Sequence, residues 1–270
     1  MTGFHNPSER LTVRYFFIDE TNNTESHGEF FIVGGLILDD VQMVELSKRI
    51  SVIRETYGYL PEHSLKFDTN SKPDHLGTEE FIEVKRQIIT EMIDVGVRMI
   101  VYAILNKIVA EENREKYALH ALLHQFDSKY LDIVEDYGVV YVDRFGQNKV
   151  FDILKSIFSQ GVDTPSGVKK MPERIIHYSV TADKLSHLNS LLDIALGAFR
   201  VCVNSFSTGR NSTAEIIMPQ VSKLIWHEHQ GDLRVFADFG FMLYPKQIKS
   251  DSFRQRGIDL RQKLSEWSAL

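Results

Sequence analysis

The sequence predicts an α/β fold built around one mixed β-sheet that opens with an antiparallel hairpin and is flanked by helices. Residues 14–19 (RYFFID) and 30–38 (FFIVGGLIL) are aromatic and β-branched runs, separated by the turn-rich segment TNNTESHGE. This pattern is typical of two hairpin strands. Apolar runs at 97–105 and 138–143 predict strands buried on both faces. Between the runs, apolar residues recur at helical spacing, so strands and helices alternate along the chain.

The other elements of the core follow in chain order. A helix is predicted over 41–57, and HSLKF at 63–67 is predicted to be a short extended piece. Thr-Glu-Glu at 78–80 resembles a helix N-cap followed by acidic first-turn residues. The remaining predicted elements are a helix over 111–134, a helix from 149, a loop at 160–167, a strand over 174–180 and a helix over 183–203.

The sequence predicts a core over residues 1–206 and a mainly helical C-terminal extension over 207–270 that packs on it. Helices are predicted over 214–229 and 251–267, and LRVFADFGFML between them is predicted to be extended. Gly34 and Gly35 lie inside the second strand and not at a strand-to-helix turn. They therefore indicate a bulge or close packing, and not a dinucleotide-binding loop.

Composition and charge exclude several classes of protein. The net charge of −6 argues against permanent binding of duplex nucleic acid through a broad basic face, but not against brief binding helped by a metal ion. The single cysteine, Cys202, excludes an internal disulfide framework. No signal peptide and no apolar run long enough to cross a bilayer is visible, so we expect a cytoplasmic protein that does not enter a membrane.

Acidic residues stand where the apolar pattern ends or breaks. Asp19 and Glu20 finish the first strand, and Asp143 finishes the strand GVVYVD. Asp193 interrupts a strongly apolar helix, where a buried carboxylate needs a metal or a partner. If these carboxylates converge, they form an oxygen site suited to Mg²⁺ or Mn²⁺. Two such ions about 4 Å apart can activate a water molecule and stabilise the leaving oxygen of a phosphodiester.

Each acid also has a purely structural explanation. Asp19 and Glu20 could begin a polar hairpin turn, and Asp143 could cap the following loop DRFGQ. Asp193 could pair with Arg200 or with a lysine elsewhere. The metal-site interpretation therefore depends on the whole set.

The order of these motifs resembles a known bacterial family. FFIDET, FFIVGGLIL, LKF, a strand ending in Asn-Lys, VYVDR and the helix LLDIALGAFR are similar to domain-of-unknown-function family thirty-eight hundred, whose first strand often carries FIDESG. The resemblance spans residues 14–203. It implies a ribonuclease H-like sheet and a two-metal acid site.

The resemblance also implies roles for individual residues. Asp19, Glu20, Asp143 and Asp193 would hold the metal, Lys66 would contact phosphate or a carboxylate, and Lys107 would close the following strand. Two positions depart from the family pattern: Thr21 replaces a serine, and Ser190 stands where a glutamine is usual. Thr21 keeps the hydroxyl, whereas Ser190 puts the substrate contacts of that position in doubt.

Two further patterns each have a functional and a structural explanation. His120, His124 and Asp127 share one helical stripe, which could belong to a zinc site but is more typical of a partly exposed helix face. From Lys246 to Lys263 the chain is locally basic and carries interspersed aromatic residues, which could follow a nucleic-acid backbone or form a solvated helix face.

The sequence thus predicts a metal-dependent phosphodiesterase, a nuclease acting on DNA or RNA, with Asp19, Glu20, Asp143, Asp193 and Lys66 at its catalytic site. The resemblance suggests a role in phage defence or mobile-element conflict. The alternative is a non-catalytic binding or sensing module of the same fold, acting through a protein partner or as a homo-oligomer.

Overall fold

A six-stranded mixed sheet forms the centre of the protein. The computed structural model describes residues 12–21, 28–143, 149–164, 167–170, 174–181, 187–230, 233–244 and 248–268. The strands of the central sheet are β1 (Val13–Thr21), β2 (Phe30–Leu38), β3 (Arg98–Leu105), β4 (Tyr137–Asp143), β7 (Ile175–Thr181) and β10 (Phe241–Tyr244). Two small hairpins lie outside it, formed by β5 (Val162–Thr164) with β6 (Gly167–Lys169) and by β8 (Glu228–Gln230) with β9 (Leu233–Val235).

Helices occupy most of the connections between the strands. They are α1 (Asp40–Thr56), α2 (Thr78–Val95), α3 (Glu111–Gln125), α4 (Asp132–Val134), α5 (Lys149–Gln160), α6 (His187–Val203), α7 (Ser205–Thr208), α8 (Asn211–Leu224) and α9 (Asp251–Ser268). A π-helix over Phe126–Leu131 joins α3 to α4, and short 3₁₀ turns lie at Thr69–Ser71 and Asn106–Ile108.

The strand order is β10-β3-β2-β1-β4-β7, with β1 near the middle. β2 is antiparallel to both β1 and β3, whereas β4 is parallel to β1, β7 to β4, and β10 to β3. Strands β1, β4 and β7 therefore all finish at the same end of the sheet, which we call the carboxyl end. The opposite end, where these strands begin, is the amino end.

Both faces of the sheet are buried by helices. On one face, Phe17 of β1 belongs to a core that includes buried residues of α1, α2, α6, α8 and α9. On the other face, Phe16 and Ile18 pack with residues of α3 and α5. Since successive side chains of a strand point to opposite faces, Asp19 continues the row of Phe17 on the face that α6 covers.

Gly34 allows α6 to lie close to the sheet. A Cβ atom at this position would come within 2.7 Å of the Leu196 side chain and 2.9 Å of the Ile100 carbonyl oxygen. The pairing of β1 with β2 is regular through both glycines, so close packing, and not a bulge, explains them.

The predicted α/β class, the opening hairpin and the helical C-terminal part are confirmed. Residues on both sides of position 206 share one core, since Leu264 and Trp267 of α9 pack with β-strand residues, and β10 adds a strand to the sheet. The division of the chain at 206 stays a prediction. In the described part of the chain, no helix has the length and apolar character that crossing a bilayer requires.

The helix predicted over 111–134 is confirmed, as α3, the π-helix over Phe126–Leu131 and α4 in succession. Two other local predictions were wrong. The loop expected at 160–167 contains β5 and β6. The helix expected over 214–229 ends at Leu224, with β8 following it. HSLKF belongs to no helix or strand, and its extended conformation stays a prediction. Residues 183–186 of the predicted helix over 183–203 lie outside the described residues.

Candidate functional site at the carboxyl end of the sheet

The ends of two parallel strands bring Asp19 and Asp143 to one pocket. Ile18 of β1 pairs with Val142 of β4, so the acid that follows each of them lies at the carboxyl end of its strand. Within the described residues, the pocket is lined by Phe17, Ile18, Asp19, Tyr141, Asp143, Thr181, Asn189 and Leu192. Two of the four acids of the predicted metal site thus line one pocket.

Stacked aromatic rings fix the strands below these acids. The rings of Phe17 and Tyr141 lie 5.0 Å apart between centroids, at an interplanar angle of 11°. Each residue precedes an acid by two positions on its strand, so ring and acid share a face of the sheet. The two carboxylates are consequently carried by a rigid, closely packed part of the molecule.

The charge of Asp19 is strongly disfavoured in the folded protein. Burial, and then the nearby carboxylates of Glu20 and Asp143, raise the pKa of Asp19 to about 9. The backbone N–H of Glu20 donates to Asp19 Oδ1 at 2.8 Å and favours the ionised form, but it does not offset the other effects. The pocket therefore disfavours the ionised form of Asp19, which a bound cation would stabilise.

Glu20 lies directly beside Asp19. Its side chain hydrogen-bonds with the Asp19 carboxyl group and is one cause of the raised pKa of that group. Glu20 is thus part of the acidic cluster, as the sequence predicts for an assisting residue.

Asp193 lies on α6, one turn beyond Asn189, and the described lining of the pocket does not include it. Its Oδ2 accepts a 2.6 Å hydrogen bond from the backbone N–H of Phe67. Residues spaced by four share one face of a helix, so Asn189 and Asp193 lie along the same face of α6. The structure thus places Asp193 beside the pocket and in contact with the HSLKF segment.

The two predicted lysines differ in position. Lys66 is half-buried and immediately precedes Phe67, so its backbone is fixed next to Asp193. Lys107 is exposed in the 3₁₀ turn after β3. Leu105 pairs with Phe30 at the start of β2, which puts Lys107 at the carboxyl end, two strands away from β1.

Sequence reasoning missed Thr181 and Asn189. Thr181 ends β7 and pairs with Asp143, while Asn189 comes from the first turn of α6. A signal for Asn189 was present, because it precedes Asp193 by four residues in an otherwise apolar helix. Asn189 also brings an amide next to Ser190, the position where the family pattern has glutamine.

The histidine stripe of α3 and the basic C-terminal run do not form a second site in the described part of the chain. His120 Nδ1 accepts the backbone N–H of Asp163 at 2.8 Å, which ties α3 to β5. In the basic C-terminal run, Arg254 pairs with Asp251 and Arg256 pairs with Glu29. Lys246 lies outside the described residues.

The donor set of the pocket fits a hard divalent cation. Asp19 and Asp143 offer carboxylate oxygens, and Thr181 and Asn189 offer neutral oxygens. Among the described residues, no group of three or more His, Cys, Asp or Glu side chains is arranged to hold a metal ion. Mg²⁺ usually keeps several water molecules and binds through one or two carboxylates, so the two acids of the pocket are compatible with it.

Comparisons with known proteins give no evidence on function. Protein-family models, curated proteins and solved structures gave no match to this chain. Function is therefore inferred from the residues at the carboxyl end and from the sequence pattern that led to them.

Proposed function

We propose that this protein is a metal-dependent phosphodiesterase, a nuclease whose acidic site lies at the carboxyl end of the sheet. The observation that carries the proposal is the meeting of Asp19 and Asp143 in one pocket, with the pKa of Asp19 raised to about 9. Strongly perturbed carboxylates in a pocket are typical of functional sites. A buried carboxylate close to other carboxylates costs folding free energy, and a bound cation lowers that cost.

Each residue of the site has a role in this proposal. Asp19 and Asp143 hold the divalent ion, Mg²⁺ or Mn²⁺, and Glu20 assists as a ligand or as the base that positions water. Asp193 on α6 would add a further carboxylate to the acids that hold the ion, and Lys66 would bind the phosphate of the nucleic acid or tune the acids. When bound, the ion supplies positive charge for the phosphodiester and for the attacking water.

The topology of the sheet supports a ribonuclease H-like core. In that fold the first strand is central, an antiparallel meander lies on one side of it, and strands parallel to it lie on the other. Here β2 and β3 form the meander, and β4 and β7 are the parallel strands. A likeness of fold does not fix function, so the chemistry still depends on the acids.

The test is cleavage of single- and double-stranded DNA and RNA in Mg²⁺ or Mn²⁺ by wild type and by Asp19→Asn, purified identically. We expect wild type to cleave one of these substrates and Asp19→Asn to lose at least about a thousandfold in rate, because a metal ligand is removed. Asp163→Asn is a matched control, since Asp163 is a half-exposed carboxylate on β5, outside the pocket. Cleavage by Asp19→Asn at the wild-type rate would sink the mechanism.

A non-catalytic sensing module is the second candidate. The observation that favours it is that Asp193 contacts the Phe67 backbone and does not line the described pocket. Such a module would bind a divalent ion or a ligand without cleaving any of the four substrates. Ion binding by wild type, combined with no cleavage under any condition, would decide for this candidate.

A further inference from the structure

Hydrogen bonds to the backbone of Phe67 connect Asp193 to a lysine on α2. The backbone N–H of Phe67 donates to Asp193 Oδ2 at 2.6 Å, and the carbonyl oxygen of Phe67 accepts from Lys85 Nζ at 3.2 Å. One residue thus connects an acid on α6 to a lysine on α2. Because Phe67 lies 126 positions from Asp193 and 18 from Lys85, the connection joins three separate parts of the chain.

The Phe67 ring is fixed from two sides. On one side it lies on the backbone of Gly197, where an added Cβ atom would come within 2.3 Å of the ring atom Cγ. On the other side the Lys85 ammonium group stands 4.7 Å from the centroid of the Phe67 ring and 4.4 Å from that of Phe81. A cation held between two rings in a half-buried setting has little freedom to move.

We propose that Lys85 is a positioning residue, which acts through the backbone of Phe67 to hold the Asp193 carboxylate in place for a divalent ion in the acidic site. The inference rests on the metal-binding part of the function proposed above. Lys85 touches neither the ion nor the substrate. Its role is to keep the HSLKF segment against α6, so that the Asp193 carboxylate keeps one orientation.

The contact of Asp193 with Phe67, and that of Phe67 with Lys85, should affect metal affinity. Groups that hydrogen-bond to metal ligands orient them, and loss of such a group typically weakens metal binding by about 10- to 100-fold. Phe67 holds one oxygen of Asp193, and Lys85 holds Phe67. Burial lowers the pKa of Lys85, and Asp68 partly restores it, so the lysine is a costly group to keep at this place without a positional role.

The test is Mn²⁺ binding by the full-length protein, measured by titration calorimetry and by the electron paramagnetic resonance signal of free and bound Mn²⁺. We expect Lys85→Met to bind Mn²⁺ about tenfold more weakly than wild type. Lys85→Arg keeps a cation that stacks on aromatic rings and donates hydrogen bonds, so it should recover most of the affinity. Gly197→Ala keeps the lysine but displaces the Phe67 ring, and should weaken binding in the same way.

Lys72→Met is the matched control. Lys72 is also a half-buried lysine near the HSLKF segment, but its Nζ donates to the carbonyl oxygens of Leu76 and Pro73 and has no hydrogen bond to Phe67 among the described contacts. We expect this variant to bind Mn²⁺ like wild type. The thermal unfolding of every variant is recorded in EDTA, so that a general loss of stability is measured separately from a loss of affinity.

The possible results separate this inference from the proposed function. Wild-type affinity in both Lys85→Met and Gly197→Ala would overturn the positioning role and leave the nuclease proposal intact. If a wild type that cleaves nothing still binds Mn²⁺, and Lys85→Met and Gly197→Ala bind it more weakly, the positioning role is supported and the nuclease proposal is not. Absence of Mn²⁺ binding by wild type would overturn both.

Discussion

The two ends of strand β1 carry charge in opposite ways. At the amino end, Arg14 lies between two carboxylates, with Nε 2.7 Å from Asp136 and Nη1 3.0 Å from Asp39. At the carboxyl end, five residues later, Asp19 lies against Glu20 and near Asp143, and its pKa is raised to about 9. One strand therefore joins a charge-paired cluster to a cluster of like charges.

The charges at the amino end stabilise the fold, whereas the neighbouring carboxylates at the carboxyl end disfavour the ionised form of Asp19. Asp39 also caps α1, and Asp136 accepts the backbone N–H of Thr12, so the amino-end acids are bound by several groups at once. Folding alone accounts for them. The carboxyl end concentrates negative charge at a cost to the folded state, and such a cost is commonly retained where a site binds a ligand or performs chemistry.

The largest effect is expected at the amino end. Arg14→Met leaves Asp39 and Asp136 facing each other without their cation, and should lower the free energy of unfolding by about 3 kcal/mol, the lower end of the range for a broken buried pair, since these side chains keep some exposure. Urea unfolding at pH 7 measures the change.

Arg49→Met is the matched control for this prediction. Arg49 also pairs with two carboxylates, those of Glu45 and Glu91, but on a more exposed part of α1. Exposed pairs contribute little to stability, so the loss should be far smaller than for Arg14→Met. Equal losses in the two variants would show that the amino-end cluster is no more than a surface ion pair.

The second effect tests whether the carboxyl end binds a divalent cation. Mn²⁺ should stabilise the folded wild type by about 2.7 kcal/mol when its free concentration is a hundred times the dissociation constant. Because Asp19 must release its proton to bind the ion, the affinity should rise as the pH increases toward about 9. Thermal unfolding with Mn²⁺ or EDTA at pH 6, 7 and 8 measures both effects. An identical shift in Asp19→Asn would place the ion elsewhere.

The sequence predicted those features of the site that depend on local pattern. Asp19 and Asp143 were found because each ends an apolar strand, and parallel strands bring such ends together. Thr181 and Asn189 were missed, since their place depends on the register of β7 against β4 and on the path of α6 across the sheet. The register leaves no mark in the residues around Thr181, and the spacing of Asn189 from Asp193 indicates a shared helix face but not that the face reaches the pocket.

The contact of Asp193 with Phe67 could not be predicted from the sequence either. The sequence showed that an acid in an apolar helix needs a partner, and it suggested a metal, Arg200 or a lysine. One partner in the structure is a backbone N–H from a segment 126 residues away. Backbone groups are present at every position, so their use as partners depends on tertiary packing and not on residue type.

The smallest expected effect is a gain in stability from Asp19→Asn, opposite in sign to the loss expected from Arg14→Met. In metal-free protein, Asp19→Asn should raise the free energy of unfolding by about 1 kcal/mol at pH 8. One pKa unit corresponds to about 1.4 kcal/mol, so the shift of Asp19 taken alone would give several times more, but relaxation around the ionised carboxylate removes most of that cost. The folded protein holds the Asp19 proton up to about pH 9, whereas the unfolded chain loses it near pH 4. Wild-type stability therefore falls as the pH rises through that window.

Urea unfolding of wild type and Asp19→Asn in EDTA at pH 5, 6.5 and 8 measures this difference. The gain from the substitution should be smallest at pH 5 and largest at pH 8, because asparagine has no proton to lose. Asp163→Asn, which removes a half-exposed carboxylate outside the pocket, is the control for the loss of one negative charge. If Asp19→Asn instead destabilises the metal-free protein at every pH, the Asp19 carboxylate supports the fold as Arg14 does, and the contrast between the two ends of β1 disappears.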